Sequence, residues 1–115
     1  MATRVLVAAF LLAQIPSSAF AQTAPPRFWN LTKHTVKEFY LSKPGANQWG
    51  ANQCKNDKDG TVDVNERLRI TNMPAGEYDA KLVDVSGRTC LANGVRVGPG
   101  EIFALEEKDL TGCTQ

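Results

Sequence analysis

Met73-Pro74-Ala75-Gly76-Glu77-Tyr78-Asp79-Ala80-Lys81-Leu82-Val83-Asp84-Val85-Ser86-Gly87-Arg88-Thr89-Cys90-Leu91-Ala92 is the stretch that decides the fold. Pro74-Ala75-Gly76 turns the chain. Tyr78, Ala80 and Leu82 then alternate with Asp79, Lys81 and Val83, the two-residue period of a half-buried strand. Ser86-Gly87 closes a hairpin onto a second strand over residues 88–92. Tyr78 follows Gly76 by two at the start of a strand. That is the pattern of the tyrosine corner of Greek-key sandwiches, whose phenol reaches back to upstream backbone. An ordinary core tyrosine after a turn is the other reading.

The same grammar extends in both directions. Residues 27–32 and 36–42 are rich in aromatic and β-branched side chains and read as strands. Lys43-Pro44-Gly45-Ala46-Asn47 is a turn, and the chain stays polar and glycine-rich to residue 63. Leu68 and Ile70 alternate with Arg67 and Arg69. Downstream, Asn93-Gly94 introduces Val95 and Val97 as a further strand. Gly98-Pro99-Gly100 turns again, residues 101–106 form a last strand, and residues 106–110 make one helical turn. No window carries a 3.6-residue period. Six to seven short strands between glycine and proline turns predict an all-β fold: a small antiparallel β-sandwich, Greek-key and immunoglobulin-like in outline.

Ahead of this domain, residues 1–21 read as an export signal. Arg4 gives a positive start, residues 5–15 are apolar but for Gln14, Pro16 breaks the run, and Ala19 and Ala21 are the small residues a signal peptidase requires. Cleavage before Gln22 leaves a short linker over residues 22–26 and one domain over residues 27–115, placed in the periplasm or secreted. The chain has thirteen basic and twelve acidic side chains. Without Arg4 the two are equal. A balanced charge speaks against nucleic acid, and against a membrane once the signal is removed, since both select a basic face.

Three cysteines, Cys54, Cys90 and Cys113, suit an oxidising compartment and lack zinc-site spacing. Cys90 and Cys113 both fall in the carboxy-terminal third and are expected to pair, pinning a short tail. A loop of that length stabilises by about 3 kcal/mol on the chain-entropy model. Cys54 is left free, buried or intermolecular.

Residues 56–66 hold the sharpest local pattern. With Gly60 as the glycine of a calcium loop, Asp57, Asp59, Asp63 and Glu66 occupy the third, fifth, ninth and twelfth positions. Lys55 stands at the first position, where a carboxylate belongs, and a strand rather than a helix follows. The reading as a calcium site stands beside that of a solvated Asp-Gly loop. No other cofactor is implied. His34, the lone histidine, lies in a turn with no recognisable nucleophile or base near it in sequence, so no catalytic residue is assigned and the chain is not read as an enzyme. Trp49 lies outside the strands and either plugs the end of the sandwich or belongs to a recognition surface. Phe28 and Trp29 are adjacent and must point to opposite faces. Asn30-Leu31-Thr32 is a glycosylation sequon, set aside because the short, alanine-rich signal is bacterial in type.

The order Phe28-x-Asn30-x-Thr32, Glu38-Phe39-Tyr40-Leu41-Ser42, Trp49-Gly50, Tyr78-Asp79 and Asp84-x-x-Gly87 resembles a family of small exported bacterial proteins of unassigned role. Its pattern is N-x-T, Y-x-S, W-G, then Y-D followed by D-x-x-G. The likeness implies a small β-sandwich with no assigned active site. The expected function is a non-enzymatic binding or interaction module for a protein or small ligand. A calcium-stabilised domain is one alternative. Another is an inhibitor of an extracellular hydrolase, with the loop around Trp49 as the inserted element.

Overall fold

Seven strands form two sheets in the computed structural model, which describes residues 24–115 together with Thr3, Ala8 and Ala9. Apart from those three residues, the segment expected to be an export signal and the first linker residues lie outside the described residues. The strands are β1 (Arg27–Leu31), β2 (Val36–Ser42), β3 (Arg67–Arg69), β4 (Gly76–Asp84), β5 (Thr89–Val97), β6 (Ile102–Glu106) and β7 (Thr111–Thr114). One sheet has the order β3-β1-β6 and the other β2-β4-β5-β7. The β4–β5 hairpin stays within its sheet, while each of the other connections carries the chain to the opposite sheet. The all-β sandwich expected from the alternation is the fold observed. All pairs are antiparallel except β1 with β6, which run parallel.

The alternation explains the core. Along β4, Tyr78, Ala80, Leu82 and Asp84 are buried while Asp79, Lys81 and Val83 are not. Phe28 from β1 stacks on Phe39 from β2 with ring centroids 4.3 Å apart, so these two fully buried rings join the sheets. Each contributes about 1.5–3 kcal/mol through burial. The Tyr78 hydroxyl donates to the Pro74 carbonyl, which is the tyrosine corner.

Three features differ from the sequence reading. Asn93-Gly94 is a bulge within one strand rather than the start of a further one. Tyr78 opposes Val95 and Ala80 opposes Ala92, so β5 carries one extra residue there and runs on unbroken. Gly94 absorbs that residue at φ +71°, a conformation that favours glycine. The tail forms a seventh strand, β7, paired to β5 and held by the Cys90–Cys113 disulfide. The long polar segment after β2 is also more ordered than a plain loop. It contains a 3-10 turn, Gln53–Asn56, and Val62 bridges to Val36 through paired backbone bonds of 2.8 and 2.9 Å.

Candidate functional site

Antiparallel pairing places the end of β2 beside the start of β4, with Ser42 opposite Asp79. The segment leaving β2 and the segment entering β4 are therefore neighbours. Between them lies a cleft of about 670 Å³, walled by Leu41, Pro44, Gln48, Met73, Pro74 and Tyr78. Its size falls in the range of small-ligand sites.

Both walls are fixed. The tyrosine corner ties Tyr78 to Pro74 on one side. On the other, Asp79 accepts from the Gly45 amide at 2.9 Å, and the Ser42 hydroxyl accepts from the Gln48 amide at 3.0 Å. Gly50 donates to the Leu41 carbonyl at 3.2 Å. Tyr78 and Asp79 point to opposite faces of β4 and so secure the two walls separately. Lys43 and Glu77 bring opposite charges to the lining, and neither is in an ion pair among the described residues.

Trp49 sits between two residues of the cleft wall, Gln48 and Gly50, and is half-buried. It covers the outer face of the four-stranded sheet rather than the end of the core. Lys81 Nζ lies 5.0 Å from its ring centroid and 4.9 Å from that of Tyr40. Such cation–aromatic contacts contribute about 0.5–1 kcal/mol each at exposed positions. The loop around Trp49 is laid down on β2 rather than standing off as an inserted element.

The acidic segment is not organised as a metal site. Asp57 Oδ2 accepts from the Asp59 amide at 3.0 Å, and Glu66 Oε2 accepts from the Asp63 amide at 2.8 Å. Asp63 Oδ1 accepts from the Thr35 hydroxyl at 3.2 Å. Each of these contacts orders the local backbone or ties it to a neighbouring turn. Among the described residues no three acidic, histidine or cysteine side chains gather as ligands. The expected calcium constellation of Asp57, Asp59, Asp63 and Glu66 is thus not assembled.

Two of the short motifs prove to be backbone organisers. Asn30 is fully buried. Its amide nitrogen donates to the carbonyls of His34 and Val62, both at 2.9 Å, and its oxygen accepts from the amide and hydroxyl of Thr32. In the folded domain the sequon asparagine is therefore inaccessible. Asp84, also fully buried, accepts from the Ser86 and Arg88 amides of the β4–β5 turn.

Thr32 contacts only the backbone of His34. Cys54 is fully buried beneath β2, and burial pushes its thiol up to about 12, followed by the fields of Asp57 and Glu38. A thiol in that state is neither nucleophile nor ligand at neutral pH.

Sequence reasoning identified both turns that wall the cleft but not the cleft. Their meeting depends on the β2–β4 register, which no local pattern encodes. Compared with protein-family models, curated proteins and solved structures, the chain has no significant match in any of the three.

Proposed function

We propose that this protein is an exported, non-enzymatic binding module whose ligand places an apolar group in the cleft between the two turns. The observation that carries this reading is the cleft itself. Its walls are mainly apolar, its rim carries Lys43 and Glu77, and hydrogen bonds hold both sides in place. A rigid apolar concavity with a few placed polar groups is the usual form of a ligand site. The disulfide fits an oxidising compartment, and no helix among the described residues is long and apolar enough to cross a membrane. The dispersed engagement of the acidic side chains favours this reading over a calcium-stabilised domain. The fastening of the Trp49 loop favours it over an inhibitor with a protruding loop.

Backbone amide chemical shifts, followed while short peptides with one large apolar residue are added, test the proposal. Saturable changes confined to Gly50, Met73 and Gly76, lost in Met73→Glu, are the expected result. Changes scattered over the surface, or undiminished in Met73→Glu, would overturn it.

A further inference from the structure

The outer face of the three-stranded sheet gathers charge that is dispersed in the sequence. β1 pairs with β3 so that Arg27 opposes Arg69 and Trp29 opposes Arg67. Phe28 and Leu68 take the core side, which turns these four side chains outward together. All three arginines are exposed. Among the described residues none of them is in an ion pair; the ion pairs present use Arg88, Arg96 and Lys108. Like charges directly opposite on a sheet destabilise it. An anion seated over Arg27 and Arg69 removes that cost.

Arg67 is also oriented. Its guanidinium carbon lies 4.4 Å from the Trp29 ring centroid. The indole is fixed in turn, because its Nε1 donates to the Asn65 carbonyl at 3.2 Å and to Asn65 Oδ1 at 3.1 Å. A guanidinium stacked by its face keeps its N–H edge for a carboxylate, which it binds in plane through two parallel bonds. Arg67 and Arg69 are two residues apart on one strand, hence ~6.8 Å apart along it. Carboxylates at alternate positions of an extended peptide repeat at the same distance. Ile102, paired with Arg27 and 42% exposed, adds an apolar contact to the face. Arginine and tryptophan are the side chains most enriched where protein interfaces concentrate their binding energy.

We propose that this face binds an extended acidic segment of a partner protein, with aspartate or glutamate at alternate positions. Arg67 and Arg69 take successive carboxylates, Arg27 shares the second, and Trp29 and Ile102 supply the apolar contact. The surface is independent of the cleft, so neither reading requires the other. The overall charge balance conceals it; Glu106, opposite Leu31 on the same sheet, is engaged by Lys108 at 3.2 Å.

The test uses the Trp49→Phe variant, in which Trp29 is the remaining tryptophan. A synthetic peptide alternating glutamate and threonine is titrated against its emission. A lysine–threonine peptide and phosphatidylglycerol vesicles serve as comparisons. The glutamate peptide is expected to give a saturable change that weakens with salt, and the other two none. Arg67→Glu with Arg69→Glu should weaken binding at least about tenfold, as loss of paired charges at an interface does. Lys37→Glu with Lys58→Glu makes the same change in net charge on other surfaces and should leave binding within about twofold, because distant exposed charges are screened. Arg67→Lys keeps the charge but loses the planar fork, and should weaken binding measurably even if the double glutamate variant fails to fold. No saturable change with the glutamate peptide, equal weakening by the lysine variants, or a response to vesicles but not to peptide would overturn the proposal.

Discussion

Arg88 Nε donates to Asp84 Oδ2 at 3.0 Å, and the carboxylate it meets is completely buried. The rest of the guanidinium grips Glu107 through bonds of 2.9 and 3.0 Å, and Glu107 Oε1 accepts the Lys33 amide at 2.9 Å. One arginine thus joins the β4–β5 hairpin to the 3-10 turn after β6 (Glu107–Asp109) and to the β1–β2 connection. It clamps the two sheets at the end of β4 remote from the cleft.

The first prediction concerns Asp84→Asn. The substitution keeps the shape but removes the charge facing Arg88 and places an amide NH₂ among the donors of Ser86 and Arg88. Breaking one member of a buried, hydrogen-bonded pair costs about 3–5 kcal/mol. Denaturant unfolding should show a lower midpoint with an unchanged slope. A loss below about 1 kcal/mol would mean that the turn holds without its carboxylate, since even one unmade buried hydrogen bond costs that much.

Acid should release the same clamp. The hydrogen bonds from Arg88, followed by that from Lys33, hold the Glu107 carboxyl at about 2, against an ordinary 4.5. Burial pushes Asp84 upward, but its bonds from Ser86 and Arg88 outweigh this and leave it below the ordinary range. Both groups bind protons more readily unfolded than folded. Their contribution is complete above the ordinary carboxylate range, and it is lost as pH falls from about 5 to about 2. Glu107→Gln should lower stability at neutral pH by about 1.5–3 kcal/mol. It should also flatten the acid limb of a stability-against-pH curve, and an unchanged limb would contradict the assignment.

Elements whose signal is local were legible. Tyr78, Ala80 and Leu82 announced their strand because side-chain period and burial coincide there. The Tyr78 corner and the Cys90–Cys113 link were also readable from spacing and position. Asn93-Gly94 misled because the same dipeptide suits a hairpin turn and a bulge, and only the β4 register distinguishes them. Thr111–Thr114 gave no strand signal, since all four residues are exposed and pairing with β5 alone defines the strand. Lys55 already marked the acidic segment as an imperfect calcium loop. What could not be read was that its carboxylates would turn to neighbouring backbone and Thr35. Arg67 and Arg69 share the solvent face by alternation alone, but Arg27, forty positions from Arg67, joins them only through the β1–β3 pairing, so the basic face was only partly legible in the sequence.

The disulfide gives a third prediction. Cys90 is fully buried in β5, whereas Cys113 is exposed in β7. Cys113→Ser therefore removes the link without placing a hydroxyl in the core. Opening a loop with a sequence separation of 23 should cost about 3 kcal/mol. Hydrogen exchange should quicken first at Thr111–Thr114, the segment with no other buried anchor. Retention of β7 protection in the variant would assign that strand to its ladder bonds instead.

Calcium provides the last test. Asp57 and Glu66 each spend an oxygen on a nearby amide, at Asp59 and Asp63, while Asp63 holds the Thr35 hydroxyl. Each keeps its second oxygen, but no three of the carboxylates gather among the described residues, so binding an ion would require the loop to move and Lys55 to face a cation. The melting temperature is therefore expected to be the same with 10 mM calcium, with magnesium and with chelator. The measurement is sensitive enough to decide the matter. A site with a dissociation constant of about 1 mM would stabilise the fold by about 1.4 kcal/mol at that concentration. In a domain of this size that is a shift of several degrees. A calcium-specific rise of that order, abolished by Asp59→Ala, would show that the loop rearranges to gather its carboxylates. Without such a rise, the cost of Asp63→Asn should be about 1 kcal/mol or less, the scale of a single exposed hydrogen bond to Thr35.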